Sequence, residues 1–239
     1  MTDVIPAIIP ESFDDLAEKM SMVRWLVPVV QVDVCDGKFV LSKCWPYKND
    51  DGEFEKILHE DDGFPFWQDL DFEADLMVAH PESGAAENFI KAGAKRIILH
   101  IESSDKMLDF VKKLRKEYGY PGEAAVTVEI GIGLNADTDI FVLKEYFAKD
   151  AEGRTLADFV QCMGIDRIGY QHQAFDPRVI GKVRDIRKKY PDVPIAVDGG
   201  VSLENAHDLA LAGATRLVSG SAIYGSDDIK EAIEEMENS

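Results

Sequence analysis

Two aspartates in this sequence stand where parallel strands are predicted to end. Asp33 lies in the stretch QVDVCDG, and Asp198 lies in the stretch AVDGG. An acid at the buried end of a strand raises the free energy of the fold unless a partner or a ligand uses it. Two carboxylates that flank a carbon acid can remove a proton from one face and return one to the other, which is general acid–base catalysis. The alternative for each is a structural role, in which the carboxylate caps a neighbouring loop N–H group.

Glycines follow at two neighbouring strand ends. Gly199 and Gly200 come just before a predicted helix, and Gly220 and Ser221 follow the last predicted strand. Glycine lets phosphate oxygens approach backbone N–H groups that a side chain would block. In eight-stranded α/β barrels, the loops after the seventh and eighth strands commonly form a phosphate site. We therefore expect these four residues to bind a phosphate, and the alternative is that the glycines only form tight turns.

Eight short apolar runs alternate with amphipathic helical patterns along the chain. We predict strands over Val4–Ile9, Pro28–Val34, Phe72–Val78, Arg96–Ile101, Ala125–Ile130, Phe159–Met163, Pro194–Val197 and Thr215–Ser219. We predict helices over Phe13–Met22, Glu53–His59, Met107–Tyr118, Arg178–Tyr190 and Leu203–Ala212, with a last helix beginning near Ser226. Strands that are apolar throughout are typical of parallel sheets. Eight of them favour an α/β fold, the (β/α)8 TIM barrel, over a doubly wound open sheet, which usually has fewer strands.

The acidic composition limits the classes of partner. The chain has 26 Lys and Arg against 45 Asp and Glu, a formal net charge of -19. Such a surface repels nucleic acid and anionic membranes, so we expect neither as a partner. No apolar run approaches the roughly 18 residues that suggest a membrane span, and the first residues lack a signal-peptide pattern. The three cysteines, Cys35, Cys44 and Cys162, form no metal-binding pair motif, and their small odd number favours a reducing, cytoplasmic location.

We expect one barrel domain over residues 1–239, with a long loop insertion at about 38–71 between the second and third strands. The insertion is acidic and rich in aromatic residues, among them Trp45 and Trp67. Three roles fit it: a lid over the barrel mouth, a contact between subunits of a homo-oligomer, or packing against the flank of the barrel. Long loops are usually functional or carry structure of their own, and the sequence leaves the three roles open.

Several ordered motifs resemble those of the ribulose-phosphate 3-epimerase family. QVDVCDGKFV resembles HxDxMDGxFV, DLMV followed by PE resembles HLMVxxPE, and HIE resembles HxE. GLNADT resembles GxxxNPxT, QAF resembles the end of PGFGGQxF, and VDGGV and GSAIY resemble the family's last two motifs closely. The resemblance covers nearly the whole chain and implies the same barrel.

The resemblance implies an isomerase that inverts C3 of a pentulose 5-phosphate through an enediolate, with ribulose 5-phosphate as the default substrate and xylulose 5-phosphate as the product. Asp33 and Asp198 would act as the acid and the base, and Met77 would contact the substrate. In the family, two histidines and these two aspartates hold a divalent metal that stabilises the enediolate. Two rival functions remain open: a diverged epimerase, aldolase or lyase that acts on another phosphorylated sugar, and a non-catalytic sugar-phosphate-binding protein.

The departures from the family pattern fall on the same site. Gln31 and Asp75 occupy the positions of the two metal-binding histidines. Pro10 replaces the family's serine after the first strand, Cys35 replaces the methionine of MDG, and Gln171-His172 replaces the glycine pair of the strand-six loop.

Three outcomes are consistent with these departures. First, Gln31, Asp33, Asp75 and Asp198 bind a cation, and such an all-oxygen set favours Mg²⁺ or Mn²⁺ over Zn²⁺. Second, no metal is bound, and repulsion among the carboxylates raises one pKa so that a protonated carboxyl serves as the acid. Third, the site has lost catalysis or takes another ligand. His80 and His172 are spare candidates for replacement chemistry, although both are predicted on polar loops.

Overall fold

Eight parallel strands close into a barrel in chain order, from β1 to β8 and back to β1. The computed structural model describes residues 2–123 and 127–239. The strands are β1 (Asp3–Ile8), β2 (Val29–Cys35), β3 (Asp71–Met77), β4 (Arg96–His100), β5 (Glu129–Leu134), β6 (Phe159–Met163), β7 (Ile195–Asp198) and β8 (Arg216–Ser219). The predicted (β/α)8 TIM barrel is confirmed.

One predicted strand is wrong in its position. The apolar pattern predicts Ala125–Ile130, but β5 runs from Glu129 to Leu134, and the start of the predicted range lies outside the described residues. The other seven predictions agree with the observed strands to within one residue at each end. The error arises because Gly131 and Gly133 interrupt the apolar pattern, although both lie within the strand.

The two glycines of β5 make room for large side chains of the neighbouring strands. A Cβ on Gly131 would collide with the ring of Phe159, and one on Gly133 would stand 3.0 Å from Nδ1 of His100. Glycine in a strand interior often marks such a close approach. Gly131 and Gly133, which interrupt the apolar pattern of β5, are therefore the residues that leave room for Phe159 and His100 inside the barrel.

Helices cover the outside of the barrel. They are α1 (Phe13–Val23), α2 (Glu53–Leu58), α3 (Ala85–Lys91), α4 (Met107–Tyr118), α5 (Arg178–Lys189), α6 (Leu203–Ala212), α7 (Ser221–Tyr224) and α8 (Ile229–Glu237). The predictions for α4 and α6 are confirmed, and those for α1, α2 and α5 agree to within one residue at either end. The last helix, α8, begins slightly later than predicted, at Ile229. The side chains of Ser12 and Asp228 cap α1 and α8, since each accepts from an N–H group of the first turn. At the start of α6, the side chain of Asn205 accepts from the N–H group of Ser202.

Two differently composed layers lie on either side of the strands. The large apolar core lies between the strands and the helices and includes Leu16, Phe89 and Leu209. The inside of the barrel is partly polar, since β-strand side chains alternate between its two faces. At its N-terminal end Arg96 Nε lies 2.6 Å from Glu73 Oε2. Polar groups at its C-terminal end form the candidate site described below.

The insertion between β2 and β3 packs in part against the flank of the barrel. Trp45 is fully buried and contacts the rings of Phe13, Phe54 and Phe64. Trp67, in contrast, is 65% exposed. Packing therefore explains Trp45, while a role of Trp67 as a lid or subunit contact stays a prediction. Within residues 2–123 and 127–239, none of the helices has the length and apolar character needed to cross a bilayer.

Candidate active site

Strand register places two aspartates side by side inside the barrel. Asp33 on β2 is the direct neighbour of Asp75 on β3. Asp198, the last residue of β7, reaches the same space from across the barrel. One carboxylate oxygen from each of the three residues lies within 4.8 Å of the others, and all three residues are buried. Asp33 and Asp198, which the sequence places at the ends of two strands, thus approach each other in the barrel, and Asp75 joins them.

Gln31 connects the two predicted catalytic aspartates. Its side-chain Nε2 donates to Asp33 Oδ1 at 2.7 Å and to Asp198 Oδ2 at 2.8 Å. The residue is fully buried, and its amide oxygen has no hydrogen-bond partner in the described part of the chain. An amide NH₂ group thus lies where the family places a metal-binding histidine.

Two further polar residues complete the network. Gln161 on β6 donates through Nε2 to Asp75 Oδ2 at 3.2 Å and to Asp198 Oδ2 at 3.3 Å. His100 on β4 shares a 2.9 Å hydrogen bond between its Nε2 and Asp75 Oδ1. The side chains therefore form one hydrogen-bonded chain, in the order His100, Asp75, Gln161, Asp198, Gln31 and Asp33. Each is buried, so each depends on its neighbours to satisfy its polar atoms.

No role for His100 or Gln161 was predicted from the sequence, although the sequence around each residue indicates that it could belong to a site. His100 stands in the HIE motif at a strand end, and Gln161 is the one polar residue in the run FVQCM. A polar side chain in a strand buried on both faces raises the free energy of the fold unless it is hydrogen-bonded. Of the two histidines predicted as spare candidates, His80 has a side chain that is 63% exposed, whereas His172 lies in the loop after β6 and lines the same cavity as Asp33 and Asp198.

Burial and mutual repulsion shift the protonation of the aspartates. Burial raises the pKa of Asp198 to about 7, the Asp75 charge adds to the rise, and the hydrogen bond from Gln31 opposes it. Burial also raises the pKa of Asp33 well above its ordinary value, with the charges of Asp198 and Asp75 adding to the effect. Burial alone would lower the pKa of His100, but the charge and hydrogen bond of Asp75 raise it overall. The site therefore holds a carboxyl group, that of Asp198, that can exchange a proton near neutral pH.

The residues expected to bind substrate surround one cavity. Asp33, Met77, Asp198, Gly199, Gly200, Gly220 and Ser221 all line a space of about 50 Å³ at the C-terminal end of the barrel. This is the end at which barrel enzymes carry their active sites. Gln31 and Asp75 lie with no exposed surface, next to the aspartates that face the cavity.

The glycines at the end of β7 are required by the backbone and by packing. Gly199 and Gly200 have φ values of 100° and 67°, which side-chain-bearing residues rarely adopt. A Cβ on Gly200 would also stand 2.8 Å from the backbone of Phe175. Tight-turn geometry therefore accounts for these glycines by itself, and phosphate binding by them stays a proposal.

The loop after β6 covers the cavity with polar side chains. Tyr170, Gln171, His172 and Gln173 line the cavity. The amide nitrogen of Gln171 lies 3.1 Å from the point where a Cβ on Gly220 would stand. Gln171, in place of a glycine of the family motif, therefore changes the wall of the cavity beside Gly220, one of the predicted phosphate residues.

Cys35 and Pro10, the other departures from the family pattern, make contacts that are explained by packing and by the backbone. Cys35 packs with Val40, Cys44 and Met77 in a small buried cluster, as a small apolar residue would. The carbonyl of Pro10 accepts a 2.9 Å hydrogen bond from the N–H group of Trp45, so this residue helps to hold the insertion.

The donor set suits a hard divalent cation. Three buried carboxylates approach one another, and the unpartnered amide oxygen of Gln31 lies in the same network. Oxygen ligands of this kind are preferred by Mg²⁺ and Mn²⁺, whereas Zn²⁺ sites usually include nitrogen or sulfur. The three aspartates can hold such an ion, and the part of Gln31 in binding it stays a proposal.

Comparisons with known proteins agree with the fold and the motifs. Residues 3–224 match the model of the ribulose-phosphate 3 epimerase family. The chain is 29% identical over 244 residues to the cytoplasmic isoform of ribulose-phosphate 3-epimerase from Oryza sativa subsp. japonica. This alignment covers 99% of this chain and 93% of that protein. It is 32% identical over 176 residues to ribulose-phosphate 3-epimerase from Bacillus subtilis (strain 168), and this alignment covers 72% of this chain and 73% of that protein.

Solved structures show the same barrel at low sequence identity. The 3-hexulose-6-phosphate synthase from Salmonella typhimurium superimposes with a TM-score of 0.66 at 16% identity, over 99% of this chain and 97% of that one. This likeness supports the fold alone, and the family assignment rests on the match over nearly the whole sequence. The chain belongs to the ribulose-phosphate 3-epimerase family.

Proposed function

We propose that this protein is a ketose-phosphate 3-epimerase that interconverts ribulose 5-phosphate and xylulose 5-phosphate. The observation that carries the proposal is the pairing of Asp33 and Asp198. Their carboxylates come from β2 and β7, line one cavity, and share the amide of Gln31 as a donor. With no cation bound, both pKa values are raised, so one carboxyl can be protonated while the other is ionised.

The two aspartates would exchange the C3 proton. The ionised carboxylate removes the proton from one face of C3, and the protonated carboxyl delivers a proton to the other face. Since each acid ends in the form in which the other began, the same pair serves the reaction in both directions. Met77 packs beside Cys35 on the cavity wall and would contact the carbon chain of the sugar.

The phosphate group would lie at the ends of β7 and β8, against Gly199, Gly200, Gly220 and Ser221. These residues line the same cavity as the aspartates, so a single ligand can contact both sets. The segment from Gly169 to Gln173 lines the same cavity, so it would lie against a bound substrate.

Gln31, Asp33, Asp75 and Asp198 would hold a Mg²⁺ or Mn²⁺ ion. A cation bound there would stabilise the negative charge that develops on an enediolate oxygen. The proton transfers themselves remain with Asp33 and Asp198, and His100 fixes the orientation of Asp75 through their hydrogen bond.

Deuterium exchange tests the proposal. The protein is incubated with ribulose 5-phosphate in D₂O, with and without Mg²⁺, Mn²⁺ or Zn²⁺, and deuterium at C3 is followed by NMR. We expect exchange, and we expect Asp33→Asn and Asp198→Asn each to abolish it. Absence of exchange under every metal would refute the epimerase proposal, and exchange by either variant would refute the role given to that aspartate.

A diverged activity on another phosphorylated sugar is the second candidate. The observation that favours it is the position of Gln171, whose amide lies against Gly220 at the predicted phosphate site. An epimerase, aldolase or lyase of this kind would show exchange or cleavage with a different ketose phosphate and none with ribulose 5-phosphate. A non-catalytic sugar-phosphate-binding protein would bind these compounds without exchange or cleavage.

A further inference from the structure

Two buried glutamine amides hold the three aspartates together. The Nε2 atom of Gln31 lies between Asp33 and Asp198, and the Nε2 atom of Gln161 lies between Asp75 and Asp198. Each NH₂ group therefore bridges two carboxylates, which is also what a cation in this cluster would do. Asp198 Oδ2 accepts from both amides, so the two bridges meet on one atom.

The other end of each amide is unsatisfied. Oε1 of Gln31 and Oε1 of Gln161 are buried and have no hydrogen-bond partner within residues 2–123 and 127–239. A buried carbonyl without a partner costs about 1–3 kcal/mol, and two of them in one site require an explanation. Strand β6 is otherwise apolar, so packing alone gives no reason for a glutamine at position 161.

Rotation of an amide exchanges its oxygen and nitrogen with almost no change in shape. After such a rotation, Oε1 of Gln31 would lie about where Nε2 now stands, at hydrogen-bond distance from oxygens of Asp33 and Asp198. Oxygen atoms at that separation repel one another in a buried site unless a cation lies among them. Facing ionised carboxylates, the rotated form is therefore favoured when an ion is bound.

We propose that Gln161 acts together with Gln31 as an amide switch at a cation site. Without a cation, the two NH₂ groups bridge the carboxylates. With a cation, both amides turn and their oxygens join Asp33, Asp75 and Asp198 as ligands. The protein then supplies five oxygen donors and no nitrogen, a set that selects Mg²⁺ or Mn²⁺ against Zn²⁺.

Gln161 thereby joins the site, and both amides respond to the ion. The switch rests on the proposed function only in that the ion would serve the proposed reaction. The binding of the ion and the rotation of the amides are independent of turnover, so they are measured on the resting protein.

Side-chain NMR tests the rotation directly. The ¹H–¹⁵N signals of the side-chain NH₂ groups are recorded on metal-stripped protein and during addition of Mg²⁺. We expect the signals of Gln31 and Gln161 to move together, because their NH₂ groups leave the carboxylates, while the exposed Gln68 keeps its signal. Saturation with Mg²⁺ that leaves either of the two signals in place would overturn the switch.

Variants at position 161 separate a ligand from a mere hydrogen-bond donor. Affinity for Mn²⁺ is measured by electron paramagnetic resonance on metal-stripped protein. If Oε1 of Gln161 binds the ion, Gln161→Leu weakens Mn²⁺ binding at least as much as loss of a residue that only supports a ligand, by about 10–100-fold or more. Gln161→Glu keeps an oxygen at this position and binds Mn²⁺ at least as tightly as the parent. Gln68→Leu serves as the matched control and leaves the affinity unchanged.

The opposite outcome would refute the proposal. A glutamine that only donates hydrogen bonds competes with the cation for the carboxylates, so its replacement by leucine would leave Mn²⁺ affinity unchanged or raise it. Failure of the parent protein to bind Mn²⁺ or Mg²⁺ would refute it as well. Mn²⁺ binding that depends on Gln161, without deuterium exchange into ribulose 5-phosphate, would instead support the switch and refute the epimerase proposal.

Discussion

The side-chain nitrogen of Gln31 lies 2.8 Å from Oδ2 of Asp198, although the two residues stand 167 positions apart in the chain. The same nitrogen lies 2.7 Å from Oδ1 of Asp33. One neutral amide thus joins the two carboxylates that are proposed to exchange the substrate proton. Its donated hydrogen bonds oppose the rise in the pKa of both acids.

Removal of this bridge should destabilise the metal-free protein. Gln31→Leu leaves Asp33 and Asp198 without their shared donor in a buried site. We expect the free energy of unfolding to fall by about 1–3 kcal/mol at neutral pH, the range for a buried group that loses its hydrogen-bond partner. Urea unfolding in the presence of EDTA measures the change, and Gln68→Leu on the surface should have almost no effect. A Gln31→Leu protein as stable as the parent would show that the bridge contributes nothing.

The pH dependence of the metal-free protein follows from the raised pKa of Asp198. Its pKa is about 7 in the fold, against an ordinary value of 3.8. Between these values the folded state holds a proton that the unfolded state has lost, so the free energy of unfolding falls as pH rises. The contribution is complete below about pH 4 and lost above about pH 7, and it is on the order of 4 kcal/mol at most.

Asp198→Asn should flatten this dependence. Asparagine does not titrate, so the variant should lose less stability between pH 4 and pH 7 than the parent, both measured by urea unfolding with EDTA. Added Mg²⁺ should reduce the dependence in the parent, because the cation stabilises the ionised carboxylate. Equal slopes for parent and variant would mean that Asp198 does not carry a raised pKa.

The barrel could be predicted from the sequence because its strands are continuous apolar runs at regular spacing. The convergence of Asp33 and Asp198 followed from the rule that strand ends share one face of a barrel. Asp75 was assigned to the site through the family resemblance. Its position beside Asp33 depends on the register between β2 and β3, which cannot be read from the sequence. Gln161 lies in the middle of an apolar run, so nothing short of the closed barrel shows that its amide reaches Asp75 and Asp198.

The position of the fifth strand was predicted wrongly for a different reason. Apolar periodicity detects side chains that fill space, whereas Gly131 and Gly133 belong to β5 because they leave space for Phe159 and His100. Such complementarity joins residues on neighbouring strands and is invisible in a single segment of sequence.

These strand glycines give a prediction about stability. Gly131→Ala places a Cβ against the ring of Phe159, which is fully enclosed, and should lower the free energy of unfolding by about 1–3 kcal/mol through overpacking. Gly181 in helix α5 has open space where a Cβ would stand, so Gly181→Ala should instead raise stability by about 0.5–1 kcal/mol. Thermal and urea unfolding of both variants measure the contrast. Similar effects of the two substitutions would show that the barrel interior adapts freely at position 131.

The pairing of His100 with Asp75 gives the last prediction. Both side chains are fully buried, and the hydrogen bond between them is 2.9 Å long. His100→Leu leaves a buried carboxylate without its main partner and should lower the free energy of unfolding by about 3–5 kcal/mol at pH 8 in EDTA. Replacing the unpartnered acid as well, in His100→Leu/Asp75→Leu, should recover part of the lost free energy of unfolding, since two apolar side chains need no hydrogen-bond partner. Urea unfolding of the single and double variants decides the matter: a double variant no more stable than His100→Leu would mean that the histidine contributes packing rather than charge and hydrogen bonding to Asp75.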